Sequence, residues 1–237
     1  MEIEGKNVLI TGGAKRIGKE ITLWFAKNKA NVFIHFFSSE SEAGELKKHC
    51  EKLGAKAEII KCDFSKENSD FSKILEISRE ADIVVCNASS FYSVNPEEIK
   101  YKDIEKNINV NFTFHFLIIN EMWKSMREKG KTGKAITVLD AEKSRKNFIP
   151  YHLGKYLLEY ITTQLFHLFA PHILINGIAL GPILPPEGKD ENYIKKISEN
   201  LPLKKQGSIE DVLSAIDFII KNDFITGNII YVSGGLK

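Results

Sequence analysis

Thr11-Gly12-Gly13-Ala14-Lys15-Arg16-Ile17-Gly18 is the stretch on which the fold turns. It joins an apolar run, Asn7–Thr11, to a segment with helical spacing, Arg16–Lys29. Glycines at a strand-to-helix junction let the backbone turn tightly and approach a pyrophosphate, whose charge then rests on a helix N-terminus. Alone, such a turn says little; directly after the first strand of an alternating chain it says much more. Its spacing departs from G-x-G-x-x-G in the middle, where Arg16 stands instead of glycine.

The alternation continues outward from that junction. Asn31–Phe36, Ala57–Lys61 and Asp82–Cys86 are short runs rich in Val, Ile and Phe, as in strands buried on both faces. Glu40–Leu53 and Glu67–Arg79 have helical spacing and a polar face. Later strands are expected at Ala135–Leu139, Ile173–Ile178 and Ile229–Val232. No linker, repeat or low-complexity stretch interrupts the pattern. It predicts one α/β domain over residues 1–237, a Rossmann-type doubly wound parallel sheet with helices on both faces.

Charge narrows the partners. The 33 Lys and Arg against 31 Asp and Glu leave a formal charge of +2, without the basic excess of a nucleic-acid or anionic-membrane binder. No apolar run approaches the roughly 20 residues of a membrane span, and no basic-then-apolar leader opens the chain. A soluble cytoplasmic protein is expected. Cys50, Cys62 and Cys86 are odd in number and lack metal spacing, so they read as reduced thiols. His115, His152, His167 and His172 have no partners at ligand spacing, so no metal is expected.

Two segments, about 104–129 and 151–170, are apolar nearly all round. A helix lying on one sheet face needs only a stripe. The surplus points to a homo-oligomer, a tetramer, packed through these helices.

The second strand ends His35-Phe36-Phe37-Ser38-Ser39, without an acid at its tip. Sites that select NAD place Asp or Glu there to hold the ribose 2′-hydroxyl. Lys15, Arg16, His35 and the serines instead suit a 2′-phosphate, which makes NADP(H) the expected cofactor. Further on, Tyr151 and Lys155 are spaced to share one helix face. An ammonium beside a phenol favours phenolate and gives a proton donor usable near neutral pH. A strand ending at Asp140 shortly before would bring that carboxylate to the same place.

With these residues in view, the chain resembles the short-chain dehydrogenase/reductase family. The resemblance rests on Thr11–Gly18, Asp63-Phe64, Asn87-Ala88-Ser89, Asn111, Tyr151 with Lys155, Asn176-Gly177-Ile178 and Val232-Ser233-Gly234-Gly235. It implies cofactor contacts from Gly12, Lys15, Arg16, Ile17, Gly18, His35, Ser39, Asp63, Phe64, Asn87, Ala88, Ser89, Lys155 and Gly181. Asp63 would meet the adenine, and Asn111 would hold a relay water at a helix kink. Lys155 would bind the nicotinamide ribose and lower the Tyr151 pKa, with Tyr151 as the acid.

Three departures narrow the resemblance. Most members carry Ser at Asp140, Gly at Arg16 and Gly at Ser89, and these replacements look like those of pteridine reductases and dihydromonapterin reductases. Asn87-Ala-Ser-Ser-Phe-Tyr92 is also similar to their segment. It implies that Phe91 stacks on a pterin, that Arg16 hydrogen-bonds it, and that Ser89 reaches pterin and cofactor phosphate. A flat polar heteroaromatic suits an aromatic platform with an arginine edge. Asp140 opposes a Tyr151 phenolate unless Lys155 compensates, so the three would titrate as a unit.

Two stretches match less well. Those reductases have an arginine near Ser38 that this chain lacks, and Ala141–Pro150 is lysine-rich and shares little with theirs. Residues about 182–204 are expected to form a flap over the substrate. The expected activity is NADPH-dependent reduction of a pterin C=N bond by Tyr151, Lys155 and Asp140. The alternatives are a carbonyl reductase acting on a 3-oxoacyl thioester or small ketone, and a non-catalytic NADP-sensing module.

Overall fold

Strands that lie between two helical layers have no polar face, and the central strands here show it: every residue of Ile83–Cys86 is buried, as are all but the last of Gly133–Asp140. The computed structural model describes residues 1–66 and 69–236. Seven parallel strands, β1 (Asn7–Ile10), β2 (Asn31–Phe36), β3 (Ala57–Lys61), β4 (Ile83–Cys86), β5 (Gly133–Asp140), β6 (Ile173–Leu180) and β7 (Ile229–Val232), form one sheet in the order β3-β2-β1-β4-β5-β6-β7. Val8 of β1 pairs with Val32 on one side and Ile83 on the other. Strand order therefore reverses at β1 and β4, and the crevice beyond their carboxyl ends is where such sheets bind ligands.

The helices are α1 (Arg16–Lys27), α2 (Glu40–Lys52), α3 (Ser72–Glu80), α4 (Tyr101–Ile108), α5 (Phe114–Glu128), α6 (Ile149–Thr163), α7 (Phe166–Phe169), α8 (Glu191–Ser198) and α9 (Ile209–Lys221). One core packs α1, α2 and α9 through Ile21, Phe25, Leu46 and Ile216. The other packs α3, α5 and α6 through Ile74, Ile118, Met122 and Leu158. Helices cover both faces. On β5, the buried Lys134 donates to Ile219 O (2.9 Å) and Asn222 O (2.6 Å), a cation placed where the carbonyl end of α9 favours one.

Three helical boundaries differ from the sequence expectation. The run 104–129 divides into α4, a π-helical turn at Asn109–Thr113, and α5. The i→i+5 bonding of a π turn widens the helix there. The run 151–170 begins earlier, at Ile149 with Pro150 in the first turn, and breaks after Thr163 before the short α7. The expected start of the third helix at Glu67 lies outside the described residues, and α3 begins at Ser72. Among the described residues no helix is long and apolar enough to cross a membrane.

Leu153, Leu157 and Tyr160 project from α6 into solvent, Tyr160 with 54% of its surface exposed. That helix is apolar nearly all round, yet this chain covers only one of its faces.

Candidate cofactor and active site

The turn after β1 is held from two sides. Thr11 Oγ1 accepts from Asn87 N (2.9 Å) and Ala88 N (3.0 Å), while Asn87 Nδ2 donates to Thr11 O (2.9 Å) and Gly12 O (3.0 Å). Gly12 has a φ of 60°, and a Cβ on it would lie 2.9 Å from Ala88 Cα. A Cβ on Gly18 would stand 2.6 Å from Asn87 Nδ2. Both positions need glycine for space. Lys15 precedes α1 without capping it, and no acid sits in the first turn. The donors of that helix end thus suit an anion. Ile17 packs half-buried on the core beside them.

Arg16 adopts a φ of 53°, the left-handed conformation that glycine would take at no cost. Its Nη2 donates to Pro185 O at 2.6 Å, which ties the loop to the segment after β6. Lys15 pairs with Glu42 at 2.7 Å, and that contact raises its pKa.

His35 does not face a 2′-phosphate. Its ring is buried; Nδ1 accepts from Gly12 N (3.0 Å) and Nε2 lies 3.0 Å from Cys62 O. With the proton on Nε2, both nitrogens are satisfied, and burial pushes the pKa down to about 4. The residue braces the loop from beneath. Phe64, expected at the cofactor, instead sits in the core between His35 (4.1 Å between centroids) and Phe114 (5.1 Å). Ser39 precedes α2, and its hydroxyl makes no cap bond. Asp63 Oδ1 accepts from Ser65 N (2.9 Å) and Ser65 Oγ (2.7 Å), whereas the buried Oδ2, 3.8 Å from Lys66 Nζ, has no hydrogen-bond partner among the described residues. An N–H donor such as an adenine amino group fits that atom. Gly181, at the end of β6, lies against Ser233, whose Cα would be 2.7 Å from a Cβ there.

Asp140 closes β5, and Tyr151 and Lys155 rise one turn apart on α6. Tyr151 Oη donates to Asp140 Oδ2 at 3.0 Å, and Glu142 N donates to Asp140 Oδ1 at 2.8 Å. Lys155 Nζ donates to Val138 O at 2.8 Å and lies 5.9 Å from the Tyr151 ring centroid. Burial lowers the Lys155 pKa to about 8. Burial, then the Asp140 charge, holds the Tyr151 pKa well above its ordinary value. This corrects the expectation that Lys155 dominates the phenol. The carboxylate touches it, whereas the ammonium gives one of its three N–H groups to Val138 O and makes no hydrogen bond to the phenol among the described residues, so Tyr151 stays protonated.

Asn111 lies in the π turn with its amide committed. Oδ1 accepts from Ser89 Oγ (2.8 Å) and Ser90 N (3.2 Å), and Nδ2 donates to Asn107 Oδ1 (3.2 Å) and Ser90 O (3.3 Å). Ser89, expected at pterin and phosphate, therefore first meets Asn111. Gly154 lets α6 close on α4 and this turn: a Cβ there would lie 2.7 Å from Asn107 O and 2.8 Å from Asn111 Cβ. The buried His115 bridges the turn to the loop, with Nε2 3.0 Å from Thr11 Oγ1 and Nδ1 3.3 Å from Asn111 O. Desolvation lowers its pKa to about 3.

Phe91 is 41% exposed, edge-on to Tyr151 at 4.9 Å and stacked on Phe148 at 4.6 Å. Phe148 ends a 3₁₀ turn, Lys146–Phe148. Sequence reasoning assigned nothing to Glu142, Arg145 or Phe148. The available signal was Arg145 itself, one of only four arginines and the one nearest Tyr151 in sequence.

A loop clamped for a pyrophosphate at the switch point, next to a tyrosine and lysine on one helix face, defines a dinucleotide-dependent oxidoreductase. A family model described as "Enoyl-(Acyl carrier protein) reductase" matches residues 12–237, and the chain belongs to the short-chain dehydrogenase/reductase family. Among curated relatives, glucose 1-dehydrogenase of Gluconobacter oxydans (strain 621H) is 29% identical over 98% of this chain and 92% of the relative. L-rhamnose 1-dehydrogenase (NADP(+)) of Thermoplasma acidophilum is 28% identical over 100% of this chain and 98% of the relative. Among solved structures, FolM alternative dihydrofolate reductase 1 from Brucella canis, complexed with NADP, superposes with a TM-score of 0.91. It is 25% identical and covers 99% of this chain and 95% of that one.

Proposed function

We propose that this chain is an NADPH-dependent reductase of a pterin C=N bond. The observation that carries the reading is the protonated Tyr151 bonded to Asp140 beside the half-exposed Phe91. The likeness to the FolM structure supports it. The α1 N-terminus with Gly12, Ile17 and Gly18 would take the pyrophosphate, clamped by Asn87 and Ala88. Asp63 Oδ2 would take the adenine, Lys15 and Ser39 the 2′-phosphate, Lys155 the ribose, and Gly181 would leave room for the nicotinamide. Bound NADPH supplies the hydride.

The chain supplies the rest. Phe91 presents a flat face, and Tyr151 Oη gives a proton to the ring nitrogen next to the carbon being reduced. The phenolate left beside Asp140 would be a second anion, so Asp140 returns a solvent proton to Oη while Lys155 offsets the charge. Arg16 and Ser89 would turn from Pro185 O and Asn111 to the pterin, beneath a flap of residues about 182–204. The uncovered faces of α4–α5 and α6 would pack against further copies in a cytoplasmic tetramer, which light scattering at micromolar concentration tests.

The sugar dehydrogenases among the relatives favour a second reading, carbonyl or alcohol chemistry at the same site. A carboxylate at Asp140 weighs against it. The assay offers dihydrobiopterin, dihydromonapterin and an acetoacetyl thioester to wild type and Asp140→Ser with NADPH. Pterin turnover that collapses in Asp140→Ser is expected. Thioester turnover without pterin turnover overturns the reading, and tight NADPH binding with no turnover points to a sensor.

A further inference from the structure

The adenosine end of the cleft is bridged by an ion pair that an incoming cofactor has to meet. In a doubly wound sheet the first strand-to-helix turn takes the pyrophosphate, and the tip of the second strand borders the ribose 2′ position. Lys15 comes from that turn, and Glu42 from the first turn of α2, which follows β2 after Phe37-Ser38-Ser39. Lys15 Nζ lies 2.7 Å from Glu42 Oε1, so the pair joins the two walls of the place where the 2′ substituent sits. The side chains are 46% and 45% exposed, which leaves the pair open to exchange.

A second pair stands on the same rim. Lys61, which ends β3 opposite Phe36, meets Glu40 of α2 at 2.8 Å. Both lysines thus have a carboxylate already, and both carboxylates come from one helix turn. Ser38 and Ser39 carry no charge, and Arg16 is turned to Pro185 O. A 2′-phosphate has to take Lys15 from Glu42, whereas a 2′-hydroxyl does not.

We propose that Glu42 sets how this site chooses between a 2′-phosphate and a 2′-hydroxyl. The carboxylate competes with the phosphate for Lys15. Toward a 2′-hydroxyl it acts the other way, accepting the O–H while Lys15 stays paired with it. The chain then binds NADH as well as NADPH, and one carboxylate, rather than an arginine fork, sets the preference. This rests on Lys15 as the 2′-phosphate residue and is independent of the pterin reading.

The test is a fluorescence titration with NADPH and with NADH of wild type, Lys15→Gln, Glu42→Gln, Glu42→Ala, Glu40→Gln and the double variant of Lys15→Gln with Glu42→Gln. Glu42→Gln should tighten NADPH about threefold to fivefold, the scale of one exposed ion pair. It should leave NADH within about twofold, because the amide keeps an acceptor oxygen. Glu42→Ala should tighten NADPH alike and weaken NADH about threefold. Lys15→Gln should weaken NADPH alone, and in that background Glu42→Gln should no longer tighten it. Glu40→Gln removes an acid from the same helix turn and should move neither cofactor beyond about twofold. The inference is overturned if Glu42→Gln does not tighten NADPH, or does so equally without Lys15, or is matched by Glu40→Gln. Wild type that fails to bind NADH at millimolar concentration, or NADH binding untouched by Glu42→Ala, overturns it as well. In all these cases Lys15 keeps its place at the phosphate; NADPH affinity unmoved by Lys15→Gln overturns that placement and the inference together.

Discussion

The two ends of the site are built on opposite plans. Around Thr11–Gly18 the bonds that hold the chain come from far along the sequence: Asn87 and Ala88 on Thr11, His35 on Gly12, His115 on Thr11. Around Ala141–Pro150 the polar side-chain contacts come from nearer neighbours, Glu142 on Asp140, Arg145 on Glu142, His152 on Arg145, while the distant ties are two backbone bonds, Val94 N to Asn147 O and Ala141 N to Leu180 O, and the stack of Phe91 on Phe148. The first end is welded to the sheet, and a change there propagates into the fold. The second has its polar side chains in a mostly local cluster on the sheet's rim, where a side chain can be exchanged without touching the strand ladder.

Substitutions at the two ends should therefore fail differently. The largest effect belongs to Tyr151→Phe. Removal of a positioned proton donor should lower kcat by about 10²–10⁴-fold. The affinity for NADPH, measured by fluorescence titration, should stay near wild type, because the loop is untouched. A parallel loss of cofactor binding would break the division.

Gly18→Ala comes next and should show the reverse pattern. The new methyl meets Asn87 Nδ2 and Gly12 O, and overpacking of this kind costs about 1–3 kcal/mol. Thermal denaturation should report that loss together with weaker NADPH binding, and saturating cofactor should recover most of kcat.

Acid should strike the welded end as well. His35 has a folded-state pKa of about 4 against an ordinary value of 6.5. Between those values the unfolded chain binds a proton that the folded chain refuses. Stability is therefore complete above pH 6.5 and falls as pH drops toward 4, by up to about 3 kcal/mol. His115, at about 3, adds in the same direction. Urea unfolding at pH 7, 5.5 and 4.5 measures the slope, and His35→Gln should flatten it. The smallest effect is Arg16→Gly. Glycine relieves the left-handed backbone by about 1 kcal/mol, against the lost Pro185 tether. The melting temperature should change by a few degrees at most, and the pterin KM should rise.

What was legible in the sequence follows the same division. The strand runs could be read because a buried parallel strand tolerates no polar face, as Ile83–Cys86 shows. Tyr151, Lys155 and Asp140 were legible because helix period and strand end place them together. His35 was misplaced because distance along the chain gives the strand tip but not which way its side chain turns. Phe64 went the same way, since an aromatic next to Asp63 can face cofactor or core. The π turn at Asn109–Thr113 hid inside a continuous apolar pattern. Arg145 and Phe148 gain meaning only from Phe91, which comes from the loop after β4, more than fifty residues earlier in the chain.

Gly154 has a consequence of another kind. By letting α6 rest directly on the π turn, it fixes the phase of a rod whose inner face bears Tyr151 and Lys155 and whose outer face bears Leu153, Leu157 and Tyr160. In the proposed assembly, a copy leaning on the outer face would restrain the inner one through that rod. Occupancy and assembly would then be reciprocal: whatever factor self-association added to cofactor affinity, cofactor would add to self-association. Dilution alone should loosen the grip on NADPH.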